Sequence, residues 1–438
     1  MGLPHPPPLP KIRKIVFMSD TTSEQVLTTQ DGKPLKQALA SALRREKMRA
    51  LLLIAPLLIF ILLTFVAPIV DMLFRSVENS IVADTLPNTV VAMQEWDAAS
   101  GNLPDEAVFA ALYDDLGVAV KEKTHTRLGS RLNYEKTGMS SLFRKTGRRV
   151  KRMDEGGPFK EQFIKADKKW GQVETWATLK TFSPRYTSAY FLSAADAQLT
   201  PEGVKMKPEE QQVYLFLFGR TLFLSITITV CCLLLGYPIA FLLAALPLRT
   251  SNLLMILVLL PFWTSLLVRT SAWKVLLQQQ GVINDFLVWT GIVSEAGRLV
   301  MINNQTGTII AMTHILLPFM ILPLYSVMKT ISPTYVRAAK SLGANDWTAF
   351  WRVYFPQSVP GIGAGAVLVF ILAIGYYITP ELVGGTSGIF ISNRIAYHIS
   401  SSLNWGLAAA LGTLLLVAVM VLFMVYDRIV GIDNVKLG

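Results

Sequence analysis

Few residues of this chain combine the types and spacing that chemistry needs, and those few are scattered. Arg220, Arg269, Lys274 and His314 stand singly within long apolar runs, while Asp71, Glu381 and Asp427 fall at run ends. Ion-coupled carriers and pumps need carboxylates or a proton relay near mid-membrane, so this distribution argues against an ion-coupled mechanism. His314 reads as a hydrogen-bonded packing residue, and Arg220 and Arg269 are close enough to run ends to snorkel. Cys231 and Cys232 are the only cysteines and are adjacent, which excludes a disulfide framework and a CxxC redox or zinc site. No GxxxxGK[ST] loop occurs, so nucleotide hydrolysis by that route is excluded. The Gly-rich stretch Gly361-Ile362-Gly363-Ala364-Gly365 has no following lysine and reads as close helix packing through small residues. Paired carboxylates, HExxH and a nucleophile elbow are missing from the apolar runs and their flanks, which counts against a membrane-embedded enzyme.

The informative segment is polar and lies between two apolar runs, from Tyr335 to Pro356. Pro333 and Thr334 can start a helix, the Ala-rich turn continues it and Gly343 can end it. A second short helix, Asp346 to Val353, then leads to Pro356 and Pro360. The result is a compact helix-turn-helix that exposes small residues and aromatics. Such a knob suits insertion into a partner's groove.

The elements that must position this knob are membrane spans. Of the 438 residues, 52% are hydrophobic and only 16% charged, with a mean hydropathy of +0.43, against about 25% charged in soluble domains. Six apolar runs approach the ~20 residues that cross a bilayer as a helix: about Leu51 to Val70, Leu217 to Leu246, Leu253 to Leu277, Gly307 to Met328, Gly363 to Thr379 (the shortest) and Leu407 to Tyr426. Pro238, Pro261, Pro318 and Pro323 interrupt them, which a membrane tolerates where broken helices line a cavity or pack on neighbours. The first run starts too late and is too long for a cleavable signal, so it is expected to stay as an anchor.

Lysine and arginine in short flanks set orientation. The cluster Arg44, Arg45, Lys47 and Arg49, then Arg249, the Lys329 to Arg352 loop and Arg428 fall on one face, which is therefore cytoplasmic, with both termini inside. Residues 1 to 50 read as a flexible, Pro-rich tail. Residues 76 to 210 are polar and carry no span, and long loops translocate regardless of charge, so they are expected outside as a small subdomain with amphipathic helices near Glu106 to Val120 and Phe159 to Leu179. The formal charge of +11 is concentrated outside the apolar runs, which argues against nucleic acid as a partner.

The Tyr335 to Pro356 loop resembles the EAA coupling motif of type I ABC importer permeases: Ala338, Ala339, Gly343, Ala344, Phe350 and Pro356 occupy the motif's places. The leading Glu of that motif is Arg337 here, so docking falls to the loop's shape and small residues, with Val353 beside them. The set Leu235-Gly236-Tyr237-Pro238, Pro261-Phe262-Trp263-Thr264-Ser265 with Val268-Arg269-Thr270 and Trp273, Leu317-Pro318-Phe319-Met320 and Thr379 to Gly385 resembles the spermidine/putrescine permease branch. The resemblance covers roughly residues 45 to 75 and 211 to 438 and is silent on the insert.

It implies an all-α membrane protein with the six-helix type I permease fold and a large periplasmic insert between helices 1 and 2. The domains are a 1-50 tail, helix 1 at 51-75, the 76-210 insert and a 211-438 core with coupling loop 333-360. It also implies a bacterial inner-membrane subunit without an ATPase site of its own. Its implied partners are two ATP-binding cassette subunits that hold ATP and Mg, a second homologous permease and a periplasmic solute-binding protein, besides membrane lipid. No cofactor or metal belongs to this subunit on that reading. Trp263, Thr264, Tyr376 and Tyr377 are candidate pathway residues, because aromatics hold a cationic amine by cation–π contact; opines and other small solutes remain open. A self-sufficient secondary carrier would call for inverted repeats and a mid-membrane ion site, and neither is apparent. A non-transporting sensor built around the insert is a further alternative.

Overall fold

The computed structural model describes residues 35–430, in two units that divide at Val70 and Asp71. The reading of residues 1 to 34 as a flexible tail lies outside the described residues. In the first unit, residues 35–50 are helical rather than tail. Ala, Leu, Lys, Arg and Glu dominate this stretch, and all are strong helix formers. The helix Leu35–Ile61 runs into a π turn, Leu62–Val66, in which the Ala67 N–H bonds Leu62 O. This widened turn comes just before Pro68, whose nitrogen has no hydrogen to give. The apolar helix as a whole extends over Leu43–Arg75.

The second unit contains four more uninterrupted apolar helices, Tyr214–Ala245 (span 2), Gln305–Thr330 (span 4), Asp346–Gly375 (span 5) and Trp405–Arg428 (span 6). The third expected run is not one helix: Leu248–Trp263 and Leu266–Leu276 meet at 94°. Pro261 tightens the end of the first half, and Ser265 starts the second by accepting the Val268 N–H at 3.2 Å. Span 5 is far longer than the Gly363 to Thr379 run suggests. The second loop helix does not stop at Pro356; it continues into the membrane, because the π turn Phe350–Tyr354 shifts the hydrogen-bond register just ahead of the proline. At its other end the helix stops at Gly375, and Thr379 belongs to a separate short helix, Ile378–Val383.

Spans 2, 4 and 5 form the core, around Leu224, Ile228, Leu316, Met320, Ile321 and Val369. Without a hydrophobic drive between helices in lipid, close packing supplies the attraction, and small residues permit it. Gly361 and Gly365 serve this end. A Cβ on Gly361 would stand 3.3 Å from the Leu324 Cα, and one on Gly365 would stand 3.1 Å from the Met320 carbonyl oxygen.

Residues 76 to 213 form a helical subdomain with a core of its own. Phe109, Phe143, Phe163, Trp170 and Trp176 pack together, with 4.6 Å between the Phe109 and Trp176 rings. The helix expected over Glu106 to Val120 is present as Glu106–Lys121. The stretch from Phe159 to Leu179 instead makes two helices, Phe159–Ala166 and Val173–Thr181, because Asp167 turns to accept the Lys169 N–H and closes the first. Among the described residues one short antiparallel pair, β1 Ala197–Thr200 and β2 Gly203–Met206, accompanies the helices, with Ala197 opposite Met206.

The insert is fastened to the core at the entries to spans 2 and 6. Buried Asp196 accepts the Val213 and Tyr214 N–H groups on Oδ1 (3.0 Å each) and the Leu215 N–H on Oδ2 (2.8 Å). A carboxylate thus caps the positive N-terminal end of span 2. Tyr190 packs with Ala194 against Leu217, Leu407 and Leu411, and a Cβ on Gly406 would lie 2.3 Å from its ring. Close by, buried His398 contacts the Tyr214 hydroxyl (2.9 Å) and the Ser402 hydroxyl (2.8 Å).

Asp196→Ala should therefore lower the apparent melting temperature of the detergent-solubilised protein, through the loss of about 1–3 kcal/mol of capping, with Asp196→Asn intermediate. An unchanged melting temperature for the alanine variant would show that the cap is dispensable. Burial, together with Arg394 and Lys207, pushes His398 down from 6.5 to about 4. The unfolded chain takes up this proton near pH 6.5 and the folded chain only near 4, so the contribution is complete above pH 6.5 and shrinks as pH falls toward 4. Melting curves between pH 7 and 5 should show this loss, and His398→Gln should flatten it.

Candidate functional site

The loop between spans 4 and 5 is built by local capping at each corner. Ser332 accepts the Thr334 N–H at 3.3 Å and Pro333 occupies the first turn of the helix Pro333–Ser341. Gly343 ends that helix with φ +92°, a conformation that costs a residue with a Cβ about 1–2 kcal/mol. Its N–H bonds Lys340 O and the Ala344 N–H reaches back to Ala339 O, both at 3.0 Å, the two bonds of a Schellman motif. Asn345 then caps the next helix, accepting the Thr348 N–H at 2.8 Å, and Lys340 pairs with Asp346 across the corner.

The candidate residues divide between two faces of the knob. Arg337, Ala338 and Gly343 are exposed at its tip, with Ala339 and Ala344 half-buried. Phe350 is turned inward rather than outward, and Val353 is half-buried. The Phe350 ring lies among Tyr237, Phe241, Tyr354 and Phe355, at 5.9 Å from Phe241, and the Tyr237 and Ser358 hydroxyls meet at 3.0 Å. Phe350 thus anchors the knob to the end of span 2 and is not available at its tip. Pro356 is exposed in the first turn of the segment Phe355–Gly375. Two residues that the sequence reading did not single out dominate the tip: Leu342, 89% exposed, and Trp347, 71% exposed. The signal for Leu342 is its place directly before the helix-ending glycine, where a leucine has no helical face left to bury.

The candidate pathway residues lie at two separate breaks. Trp263 is 74% exposed beside Thr264, whose hydroxyl donates to Pro261 O, at the bend between the halves of span 3. Tyr376 and Tyr377 follow the end of span 5; their carbonyls accept the Ser392 hydroxyl (2.6 Å) and the Asn393 side chain (2.9 Å). Among the described residues, no hydrogen bond or ring contact joins the two pairs. The breaks are linked instead by Thr270 and Thr379, whose hydroxyls meet at 3.2 Å. His314 accepts the Trp273 indole N–H at 3.1 Å and Arg220 donates to Thr386 O. The Asn393 amide also donates to Glu381 Oε2 at 2.6 Å.

Apolar helices packed through glycine, one of them broken, and a capped polar knob between spans 4 and 5 define a helical membrane-transport subunit. The family model for the binding-protein-dependent transport system inner membrane component matches residues 235–432. The chain is 34% identical over 224 residues to the spermidine/putrescine transport system permease protein PotB of Escherichia coli (strain K12), covering 51% of this chain and 81% of that protein. It is 38% identical over 216 residues to the PotB protein of Haemophilus influenzae, covering 49% and 75%. Among solved structures, a bacterial ABC transporter involved in the import of the acidic polysaccharide alginate aligns with a TM-score of 0.42 at 21% identity, over 52% of this chain and 81% of that one. The protein belongs to the binding-protein-dependent inner membrane components and is the permease subunit of an ABC importer. The insert lies outside the residues that the family model matches.

The capping scheme gives a local expectation. Gly343→Ala should loosen the knob by about 1–2 kcal/mol, read as faster amide hydrogen exchange over residues 333 to 349. Gly412→Ala, in span 6 with nothing within 4 Å of its added methyl, should leave exchange there unchanged. Equal protection in both variants would mean that the left-handed corner is not what holds the loop.

Proposed function

We propose that this permease carries a small, polyamine-like cationic solute, handed over by a periplasmic binding protein, through a pathway shared with a second, similar permease. The observation that carries the reading is the knob, a capped hairpin with Leu342 and Trp347 exposed at its tip and Phe350 rooted in span 2. Two cytoplasmic ATPase subunits hold ATP and Mg, and each permease's knob sits in an apolar cleft of one of them. Because Asp346–Gly375 is a single helix, a displacement of the knob passes directly into span 5 and, through the Phe350 cluster, into span 2. ATP binding favours one conformation of the assembly over the other, and only that difference in affinity can drive the switch. The flanking basic residues support a cytoplasmic knob and cytoplasmic termini, with the insert in the periplasm. The 34–38% identity to spermidine/putrescine permeases supports the amine, as do the aromatics Trp263, Tyr376 and Tyr377 at the breaks.

ATP turnover by the reconstituted complex, screened with binding protein and a panel of polyamines and opines, tests the assignment. Stimulation by a polyamine is expected, and stimulation only by an uncharged or anionic solute would overturn it. Gly343→Asp, which adds a charge at the tip, should abolish co-purification of the ATPase while leaving the isolated permease folded. Normal assembly and pumping by that variant would remove the knob from the mechanism.

A further inference from the structure

A cavity of about 810 Å³ opens where the insert meets the segment that leads into span 6, with Arg75, Arg127, Arg131 and Arg144 in its wall together with Glu78 and Trp405. Arg127, Ser130, Arg131 and Tyr134 recur at intervals of three and four, so the helix His125–Leu132 and the turn after it present them on one face. Arg144 joins them from the helix Met139–Arg149, held close because Gly129 abuts it: a Cβ on Gly129 would lie 2.9 Å from the Phe143 Cβ.

The charges there are incompletely matched. Arg75 pairs with Asp71 at 2.8 Å. Arg131, only 8% exposed, donates to the Tyr190 hydroxyl (2.7 Å) and Glu135 (2.6 Å), and its Nη2 has no acceptor. Arg144 donates to the Ser140 hydroxyl at 2.7 Å. Among the described residues, neither Arg127 nor Arg144 has a carboxylate partner. Four arginines against Asp71, Glu78 and Glu135 leave one net positive charge.

The cavity's position identifies its ligand. Ser402, Asn404 and Trp405 form part of the wall, the Tyr134 hydroxyl donates to Ser402 O at 2.9 Å, and Trp405 is the first residue of span 6. The mouth therefore lies at the boundary between hydrocarbon and water, where tryptophan is favoured and lipid phosphates sit. Guanidinium forks match phosphate oxygens in pairs.

We propose that this cavity binds the phosphate of an anionic phospholipid headgroup, with Arg127 and Arg144 as its ligands, Arg131 as the buried support and Trp405 against the lipid's upper acyl region. The headgroup then ties the insert to the membrane surface beside span 6. Nothing in this depends on which solute is transported.

Native mass spectrometry of the full-length permease released from nanodiscs of phosphatidylglycerol mixed with phosphatidylcholine tests it. Wild type should retain phosphatidylglycerol preferentially, and the double variant Arg127→Gln/Arg144→Gln should lose roughly tenfold or more of that preference, since each basic residue near a charged surface is worth roughly fivefold. Arg148→Gln/Lys151→Gln, which removes charges outside the cavity, should keep it. Both double variants alter exposed side chains, so unchanged melting curves confirm that the fold is intact. No preference in wild type would overturn the proposal, as would a preference that persists in Arg127→Gln/Arg144→Gln. If millimolar inorganic phosphate binds at these arginines while phosphatidylglycerol shows no advantage, the source is soluble phosphate and the lipid assignment fails. It also fails if the double variant loses binding-protein association with lipid retention untouched.

Discussion

Backbone N–H and C=O groups inside a bilayer have no water to bond, so each break in a spanning helix must be answered by protein. This constraint explains several of the polar side chains in the core. Ser265 restarts the chain after the 94° bend, Ser392 and Asn393 take up the carbonyls freed beyond Gly375, and Arg220 satisfies Thr386. Asp196 does the same for the first amides of span 2. Dispersed along the chain, these residues hold the interruptions open. Breaks held in this way leave aromatics such as Trp263 uncovered at the bends.

The knob and the core are mechanically one piece, because the two π and glycine corners have opposite effects. Gly343 lets the chain turn sharply, which isolates the first loop helix as a projecting finger. The π turn at Phe350–Tyr354 keeps the second helix running into span 5 through Pro356 and Pro360. The Phe350 ring cluster couples that helix to Tyr237 and Phe241 of span 2. A push at the tip therefore meets a stiff lever and not a flexible loop.

Much of this was legible in the residues, for reasons that differ between elements. Apolar runs, Gly343 as a helix stop and Gly361 and Gly365 as packing contacts follow from composition and from conformational preferences that act locally. Less legible was whatever depends on partners distant in sequence. Pro356 reads as a terminator by its own chemistry, and only the shifted register at Phe350 makes it harmless. Phe350 reads as one position of the coupling loop, and its packing against Tyr237 and Phe241, more than a hundred positions earlier, cannot be seen locally. The exposure of Leu342 before Gly343 and the break of the 159 to 179 stretch, where Asp167 turns onto the Lys169 N–H, are set locally and are missed when a short turn is not weighed against an apolar periodicity.

The insert illustrates how an added domain can be made rigid without disturbing the fold that carries it. Its own aromatic core, from Phe109 to Trp176, needs nothing from the membrane helices. Its attachment uses features that a helix entry must have in any case: a cap at span 2, supplied by Asp196, and a small residue at the start of span 6, Gly406, against which Tyr190 lies flat. The Arg131 guanidinium, 4.5 Å over the Tyr190 ring and bonded to its hydroxyl, then orients that ring from the insert side. Because both anchor points are helix entries, Asp196 at span 2 and Tyr190 against Gly406 at span 6, a rotation of either helix would be passed to the insert as a rigid-body tilt.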